Sequence, residues 1–369
     1  MDRPFDIVLF GASGFTGSLT ASYLAGTSAR WALAGRDKAK LEALGHDVPI
    51  LVADASDPSW LATQARVVVS TVGPYIRYGE PLVRACASAG THYLDLTGEP
   101  EFVDRMYVRY DAIARRTGAK IVHAAGFDSI PYDLGVLFTV LQLPEGVPLK
   151  VSGFLRGNGR ASGGTFHSMV AIMSRLRQAM EAGTQRRSAE IPPAGRKVSS
   201  WPGGIRYVGG WALPMPTIDP LIVGHSARLL DRYGPDFTYR QHFATKTLPA
   251  ALAISLGTAS LVTLAQIPPT RSWLLNRLHP GDGPTAEQRA KSWFKVTFLG
   301  EGGGERVITE VAGGDPGYGE TAKMLGESAL CLAYDDLPAR AGCLTTAAAM
   351  GEPLITRLHN AGITFSVRT

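Results

Sequence analysis

The chain has 369 residues, of which 45% are apolar and 19% charged, and its formal net charge is +5. This length indicates two domains, and the mild basic excess, without a basic stripe interleaved with aromatic residues, excludes a nucleic-acid-binding protein and suits an anionic cofactor and substrate. Three scattered cysteines (Cys86, Cys331 and Cys343) indicate a reducing compartment without a disulfide framework or a zinc site, so we expect no metal and a cytoplasmic protein. The N-terminus leads directly into the first predicted strand, so we expect no signal peptide.

A glycine-rich stretch near the N-terminus is the first candidate site. The apolar residues 5–10 predict a buried parallel strand, and residues 18–24 predict a helix. The turn between them has the spacing G-x-x-G-x-x-G, which aims backbone N–H groups and the positive end of a helix at a phosphate. A structural turn is the alternative. The residues expected to hold a dinucleotide are Gly11, Ser13, Gly14, Phe15, Thr16 and Gly17.

The second predicted strand, residues 31–36, ends in Arg36, 19 residues after Gly17. At this position an acidic residue selects NAD through the ribose hydroxyl, whereas an arginine selects NADP through the 2′-phosphate. Asp37 complicates the choice, but an aspartate before a helix-forming run is typical of an N-cap. We therefore predict NADP, with NAD the less favoured cofactor and a plain surface arginine the alternative for Arg36.

The next two predicted strands, residues 49–54 and 66–72, place polar residues at their carboxyl ends. Ligands of open parallel sheets bind outside these ends. Asp54 and Ala55 are therefore expected at the adenine. The segment Thr71, Val72 and Gly73 is expected along the cofactor, and Tyr75 near the nicotinamide.

Two further strands, residues 92–96 and 120–124, complete the alternation with helices over 81–89 and 100–117. Six strands with crossover helices predict an α/β fold with an N-terminal Rossmann doubly wound parallel sheet over residues 1–145.

The second half predicts a mixed α/β domain over residues 146–344, including a hairpin at 292–299 and 305–311. The predicted elements, in chain order, are a strand at 150–156, a small-residue turn at 162–165, a helix at 166–182, the hairpin and a helix at 317–332. The turn is either an anion-binding helix terminus or a plain cap. Residues 183–247 show little periodicity. The tail, 345–369, predicts a short helix and strand that pack back on the first domain.

One apolar segment, residues 250–267, contains no charged residue and is flanked by Lys246 and Arg271. Its length is borderline for a membrane span, and Ser, Thr, Gly and Gln dilute its hydrophobicity. We favour a buried or interfacial helix that packs in a core, rests peripherally on a membrane or walls an apolar substrate channel.

The assembled motifs resemble the saccharopine dehydrogenase-like oxidoreductases, and within them the trans-acting enoyl reductases of mycobacterial lipid synthesis. The motifs that carry the resemblance across nearly the whole chain are 11–17, 34–36, 71–75, 93–99, 126–131, 162–165, 314–318 and 342–346. The resemblance implies a Rossmann domain plus a mixed α/β domain, a dinucleotide that is most often NADP, and reduction of a carbon–carbon double bond in an acyl chain held by a polyketide synthase.

The proton donor for such a reaction remains open among several residues. Tyr75, Asp128 and His167 are the catalytic candidates, with Tyr132 or a water held by Asp128 as further options. Each has a structural alternative: Asp128 could cap the helix over 131–141, Tyr75 could pack on the cofactor, and His167 could be a structural histidine. The chain has no Tyr-x-x-x-Lys pair, His-Glu-x-x-His, Gly-x-Ser-x-Gly or phosphate-loop lysine motif, which excludes those enzyme classes.

Two alternatives to an enoyl reductase stay open. A saccharopine-type amino-acid or imine dehydrogenase would need a polar pocket, which the apolar segment disfavours. A dinucleotide-binding, membrane-associated protein without turnover would share the same apolar segment. A lipid-like acyl thioester carried on a synthase is the expected partner, and a homodimer is compatible with each interpretation.

Overall fold

The computed structural model describes residues 3–158, 163–207, 210–276 and 285–368. The chain divides into two compact units. The first comprises Met1–Ile130, Ala182–Ala189 and Tyr318–Gly362, and the second Pro131–Glu181, Glu190–Gly317 and Ile363–Thr369. Residues 318–344 thus belong to the first unit, whereas the sequence predicted them in the second domain.

The strands of the described ranges form two sheets. In chain order they are β1 Phe5–Phe10, β2 Trp31–Gly35, β3 Ile50–Val52, β4 Ala65–Ser70, β5 His92–Asp95, β6 Lys120–Val122, β7 Leu149–Gly157, β8 Lys197–Trp201, β9 Arg206–Tyr207, β10 Trp211–Pro214, β11 Asp236–Thr245, β12 Phe294–Gly302, β13 Glu305–Gly313, β14 Gly342–Leu344 and β15 Thr364–Arg368.

The helices surround these sheets and include several that the sequence analysis predicted. They are α1 Phe15–Ala25, α2 Lys38–Glu42, α3 Tyr75–Tyr78, α4 Glu80–Ala89, α5 Pro100–Thr117, α6 Ile130–Leu141, α7 Gly163–Ser174, α8 Leu176–Ala189, α9 Asp219–Leu229, α10 Leu248–Gln266, α11 Pro268–Leu275, α12 Ala286–Ala290, α13 Gly319–Tyr334, α14 Thr346–Ala349 and α15 Gly351–Asn360.

The first unit contains a parallel sheet in the order β14-β6-β5-β4-β1-β2-β3. Its central strands are buried on both faces: Ile7, Val8 and Leu9 of β1 have no exposed surface, as parallel strands covered by helices require. The strand order reverses between β1 and β4, which is the point where doubly wound sheets bind their ligands. The predicted Rossmann sheet is therefore confirmed, and β14 extends it beyond the six predicted strands.

The second unit contains a mixed sheet in the order β15-β13-β12-β7-β11-β10-β9, with β8 also paired to β11. β7 pairs in parallel with β11 and antiparallel with β12. The predicted hairpin is present as β12 and β13. A mixed second domain is therefore confirmed, as the sequence predicted.

Three predictions for the second half need correction. The helix predicted over 166–182 is two helices, α7 and α8, and Ser162 of the small-residue turn lies outside the described residues. The sequence predicted no elements for residues 183–247, which contain β8 to β11 and α9. Short strands separated by Pro and Gly leave little periodicity, so these elements gave no clear local signal. In the tail, α15 belongs to the first unit, but β15 pairs with β13 in the second.

Candidate dinucleotide and active site

The glycine loop after β1 has a conformation that other residues would obstruct. Gly11 has a φ of +89°, and a Cβ there would lie 2.7 Å from both Thr71 Oγ1 and Val72 Cγ2. A Cβ at Gly17 would collide with the carbonyl oxygen of Gly11 and lie 2.9 Å from the Cα of Ala12. The glycines therefore let the loop turn tightly and let α1 approach it closely, leaving the backbone open to a ligand.

The start of α1 is exposed, and no side chain accepts a hydrogen bond as its N-cap. Its N-cap is Gly14, which has an extended conformation, and Ser13 and Gly14 are exposed. The first N–H groups of a helix have no carbonyl partner within the helix. Ser13 and Gly14, with the partly exposed Phe15 and Thr16, therefore lie where the sequence predicts a pyrophosphate to bind.

The end of β4 is bonded to the same loop. The hydroxyl of Thr71 is 3.0 Å from the carbonyl oxygen of Gly11 and 3.2 Å from that of Phe10, to which it donates. Phe10 and Ser70 are partners in the sheet register. Thr71 therefore holds the two strands at the switch point, and the partly exposed Val72 and exposed Gly73 continue along this edge.

The ends of β2 and β3 present a cation and a carboxylate. Arg36 is exposed after β2 and forms no ion pair with any residue in the described part of the chain. Asp37 caps α2, since its side chain accepts a hydrogen bond from the N–H of Lys40 at 3.1 Å. The predicted N-cap is confirmed, and it leaves the guanidinium as the group that can reach a 2′-phosphate.

Asp54 lies in a turn after β3, followed by the partly buried Ala55. Its Oδ1 accepts hydrogen bonds from the N–H of Ser56 at 2.8 Å and from its hydroxyl at 2.6 Å. These bonds, with a smaller contribution from the charge of Arg36, lower the pKa of Asp54. The carboxylate is thus ionised at neutral pH, and its second oxygen accepts no hydrogen bond within the described residues.

Tyr75 is buried and its hydroxyl is already engaged. The hydroxyl donates to the carbonyl oxygen of Ser70 at 3.0 Å and accepts from the N–H of Leu96 at 3.2 Å. Burial, followed by the charge of Asp95, raises the pKa of Tyr75 well above its usual value. Tyr75 therefore joins the ends of β4 and β5, and these contacts disfavour the proton-donor role predicted for it.

The end of β5 positions the loop that follows β6. The buried Asp95 accepts a hydrogen bond from the N–H of Ala124 at 3.0 Å, and its other carboxylate oxygen lies 2.7 Å from Nδ1 of His123. Ala124 has a φ of +58°, uncommon for a residue with a Cβ. Further along, the hydroxyl of Ser129 donates to the carbonyl oxygen of Ala124 at 2.7 Å. The loop is thus held in one conformation from both sides.

This loop presents Asp128 at the same edge of the sheet. The side chain is exposed and makes no hydrogen bond or ion pair within the residues that the structure describes. Protein atoms nevertheless crowd its carboxyl group, and the resulting loss of solvation raises the pKa of Asp128 to about 6. An accessible carboxyl that titrates near neutrality is suited to proton transfer, and no capping bond uses it.

The third catalytic candidate belongs to the other unit. His167 lies in the first turns of α7, where it is partly buried, whereas Asp128 and Tyr75 both lie in the first unit. Tyr132 is likewise in the second unit, buried in α6. Asp128 is therefore the candidate that shares the sheet edge with the glycine loop.

Several residues of the site were missed from the sequence. Glu99 accepts hydrogen bonds from the N–H groups of Tyr75 and Ile76 at 2.8 and 2.9 Å, which fixes α3 beside the sheet. Thr321 accepts from the N–H of Phe127 at 3.3 Å, and the ring of Tyr318 packs edge-on against that of Phe15 at 4.8 Å. The motif at 314–318 pointed to the start of α13, but no local pattern indicated that Tyr318 packs against Phe15 in the first unit.

The features at this sheet edge fit a dinucleotide. Cβ-free positions at Gly11 and Gly17 open the loop, α1 offers an uncapped N-terminus, and Arg36 stands exposed beyond β2. With a titratable carboxyl nearby, this arrangement defines an oxidoreductase of the dehydrogenase type that binds a nicotinamide dinucleotide.

Comparisons with known proteins agree. Residues 7–122 match the family described as saccharopine dehydrogenase NADP binding domain. A trans-acting enoyl reductase of Mycobacterium ulcerans is 37% identical over 99% of this chain and 98% of its own length. A Mycobacterium tuberculosis protein, provisionally given that name, is 40% identical over 98% and 97%. A saccharopine dehydrogenase-like oxidoreductase of Rattus norvegicus is 31% identical over 99% and 97%.

The chain therefore belongs to the saccharopine dehydrogenase-like oxidoreductase family, as its motifs indicated. Among solved structures, saccharopine dehydrogenase (L-Glu forming) from Saccharomyces cerevisiae matches with a TM-score of 0.58, covering 99% of this chain and 100% of that chain. The identity is 11%, so this likeness establishes the shared fold.

Proposed function

We propose that this protein is an NADPH-dependent enoyl reductase that acts in trans on an α,β-unsaturated acyl thioester carried by a polyketide or fatty-acid synthase. One observation carries the proposal: the full-length similarity to mycobacterial proteins named trans-acting enoyl reductases. The site geometry supports it, because the reaction needs a bound dinucleotide and a nearby proton source, and the cradle and Asp128 share one sheet edge.

The proposed roles divide between binding and proton transfer. When bound, NADPH supplies a hydride to the β-carbon of the acyl chain. The N–H groups of Ser13 and of the first turn of α1 bind the pyrophosphate, Arg36 binds the 2′-phosphate, and Asp54 accepts from the adenine. Asp128, in its protonated form, donates a proton to the α-carbon and yields the saturated thioester. The three cysteines are buried and form no disulfide bond, which is compatible with a reducing cytoplasm.

The reaction is tested by following the absorbance of NADPH with the purified full-length protein. We expect oxidation of NADPH with an unsaturated acyl thioester, a saturated product detected by mass spectrometry, and no oxidation with the matched saturated thioester. Tight NADPH binding without turnover of any unsaturated thioester would contradict the reductase. Turnover of an amino acid with NADP⁺ would instead favour the saccharopine-type reaction.

Cofactor choice is tested at Arg36. We expect Arg36→Ala to raise the Kd for NADPH by about 10- to 100-fold, the range of one or two charge-assisted hydrogen bonds, and to change the Kd for NADH by less than about twofold. Both constants can be measured by fluorescence titration. The matched control is Lys38→Ala, which removes an exposed cation two residues away that pairs with Glu42 at 3.5 Å. An equal loss of affinity for NADPH and NADH would contradict the assignment of Arg36 to the 2′-phosphate.

A further inference from the structure

The apolar segment that the sequence singled out forms a helix that stands mostly clear of the protein. α10 has 19 residues and no charged side chain, and two of its residues, Ala251 and Ala265, are buried. In the described residues it is the one helix long and apolar enough to cross a membrane by length and composition. Residues 252–260 are all exposed, including Leu252 at 54%, Ile254 at 39% and Leu256 at 68%. Helices that are apolar all round are normally buried in a protein core, an interface or a membrane. We therefore expect α10 to contact another apolar surface.

The attachment of α10 argues against a helix that leaves the protein to cross a bilayer. Its two buried residues, Ala251 and Ala265, lie near opposite ends, about 21 Å apart along the helix axis. The helix contacts α7, α11, β10 and β11, all of the second unit. Ala265 packs against Val170 of α7, so the carboxyl end of α10 is fastened to the second unit, and Ala251 is buried near the other end.

The carboxyl end of α10 is held by specific contacts. Ala265 packs in a small apolar cluster with Val170 of α7 and Leu274 of α11. The side-chain amide of Gln266 donates to the carbonyl oxygen of Met173. After Ile267 the chain turns into α11, which packs in the same cluster. The two helices thus form a hairpin that is attached to the second unit.

The charged residues around this hairpin indicate which surface it contacts. The sequence contains no aspartate or glutamate between Asp236 and Asp282. The apolar helix is instead flanked by the exposed Lys246 and the partly exposed Arg271. Trp273 of α11 is 51% exposed. Basic flanks with an exposed tryptophan match the headgroup region of an anionic bilayer.

We propose that the α10–α11 hairpin, residues 248–275, docks this protein on the surface of an anionic lipid bilayer. The side chains of Leu252 and Leu256, which lie four residues apart on one helical face, enter the acyl boundary, while Lys246 and Arg271 contact lipid phosphates. The attachment is peripheral and reversible, because one short apolar stretch with two flanking cations is a modest anchor. This docking is independent of the reaction proposed above, since it requires neither the dinucleotide nor Asp128.

The test is co-sedimentation of the full-length protein with vesicles. We expect binding to vesicles of phosphatidylglycerol and phosphatidylcholine, weaker binding to phosphatidylcholine alone, and release from the anionic vesicles at high salt, because salt screens exposed charges. The double variant Leu252→Asp/Leu256→Asp should bind the anionic vesicles at least about tenfold more weakly, since it removes two inserted apolar side chains. The matched control, Ile191→Asp, changes an 89% exposed isoleucine outside the hairpin and should bind like the parent protein.

Circular dichroism and NADPH affinity establish that each variant remains folded. Absence of binding to the anionic vesicles by the folded parent protein would overturn the proposal, as would equal losses in the double variant and in Ile191→Asp. A protein that can be released only by detergent would show a membrane span instead. A dimer in sedimentation velocity that Leu256→Asp dissociates, without vesicle binding, would show that a second copy covers the helix.

Discussion

Replacing Asp128 by asparagine is expected to lower kcat by about 100- to 1,000-fold, the usual contribution of a positioned acid. The carboxyl is accessible, has no hydrogen-bond partner in the described residues, and has a pKa of about 6. Because the protonated form is the donor, kcat/KM should be highest below pH 6 and should fall as the pH rises through 6. Asparagine has no such proton, so that decline should disappear from its residual pH profile. Steady-state kinetics across pH measures both effects.

The Asp128 experiment needs a control that separates catalysis from binding and folding. Asp57→Asn changes another exposed carboxylate, in the turn after β3, and should leave kcat and the pH profile unchanged. Asp128→Asn itself should keep its Kd for NADPH within about twofold, because no cofactor contact is assigned to it. A variant that keeps the parent kcat and the same decline above pH 6 would show that Asp128 is not the proton donor.

Gly17→Ala is expected to weaken NADPH binding by about 100-fold or more. The added methyl group would collide with the carbonyl oxygen of Gly11 and crowd Ala12 and Thr71. Either the loop or α1 must move, and the N–H groups that face the pyrophosphate then lose their alignment, at a cost of several charge-assisted hydrogen bonds. Isothermal titration with NADPH and with NADH should show the same loss for both, since both carry the pyrophosphate.

The control for Gly17 lies at the other end of the same helix. Gly26 has a negative φ, and a Cβ there would be 3.5 Å from the carbonyl oxygen of Tyr23, an ordinary contact. Gly26→Ala should therefore bind NADPH like the parent protein. Thermal unfolding of both variants shows whether Gly17→Ala remains folded at the temperature of the titration. Parent-like affinity in folded Gly17→Ala would mean that the loop does not contact the cofactor as assigned.

The contrast between these two sites shows what local sequence could predict. Glycine spacing, buried apolar runs and the Asp37 cap depend on residues within one turn or one strand–helix connection, and the structure has each of them. Strands predicted to be parallel also bring their carboxyl ends to one edge. For this reason the positions of Arg36, Asp54 and Thr71 at that edge followed from the order of the elements alone.

Other features depend on contacts between distant parts of the chain. Tyr75 was expected in the cofactor site, but the fold buries its hydroxyl between Ser70 and Leu96. The seventh strand of the parallel sheet, β14, pairs with β6 although more than two hundred residues separate them. No local pattern in a three-residue strand indicates its partner, since pairing is decided by backbone hydrogen bonds that become available only when the sheet has formed.

The amino-acid sequence by itself thus determined the parallel dinucleotide-binding sheet, the glycine loop and the position of an arginine at the end of β2, because these follow from short-range sterics and periodicity. Only the tertiary structure decided that Tyr75 holds two strands together, that Asp128 is accessible and without a capping bond in the described residues, and that α10 is exposed. Burial is a property of the whole packed chain, and it is burial that distinguishes the enclosed hydroxyl of Tyr75 from the accessible carboxyl of Asp128, and a core helix from the exposed α10.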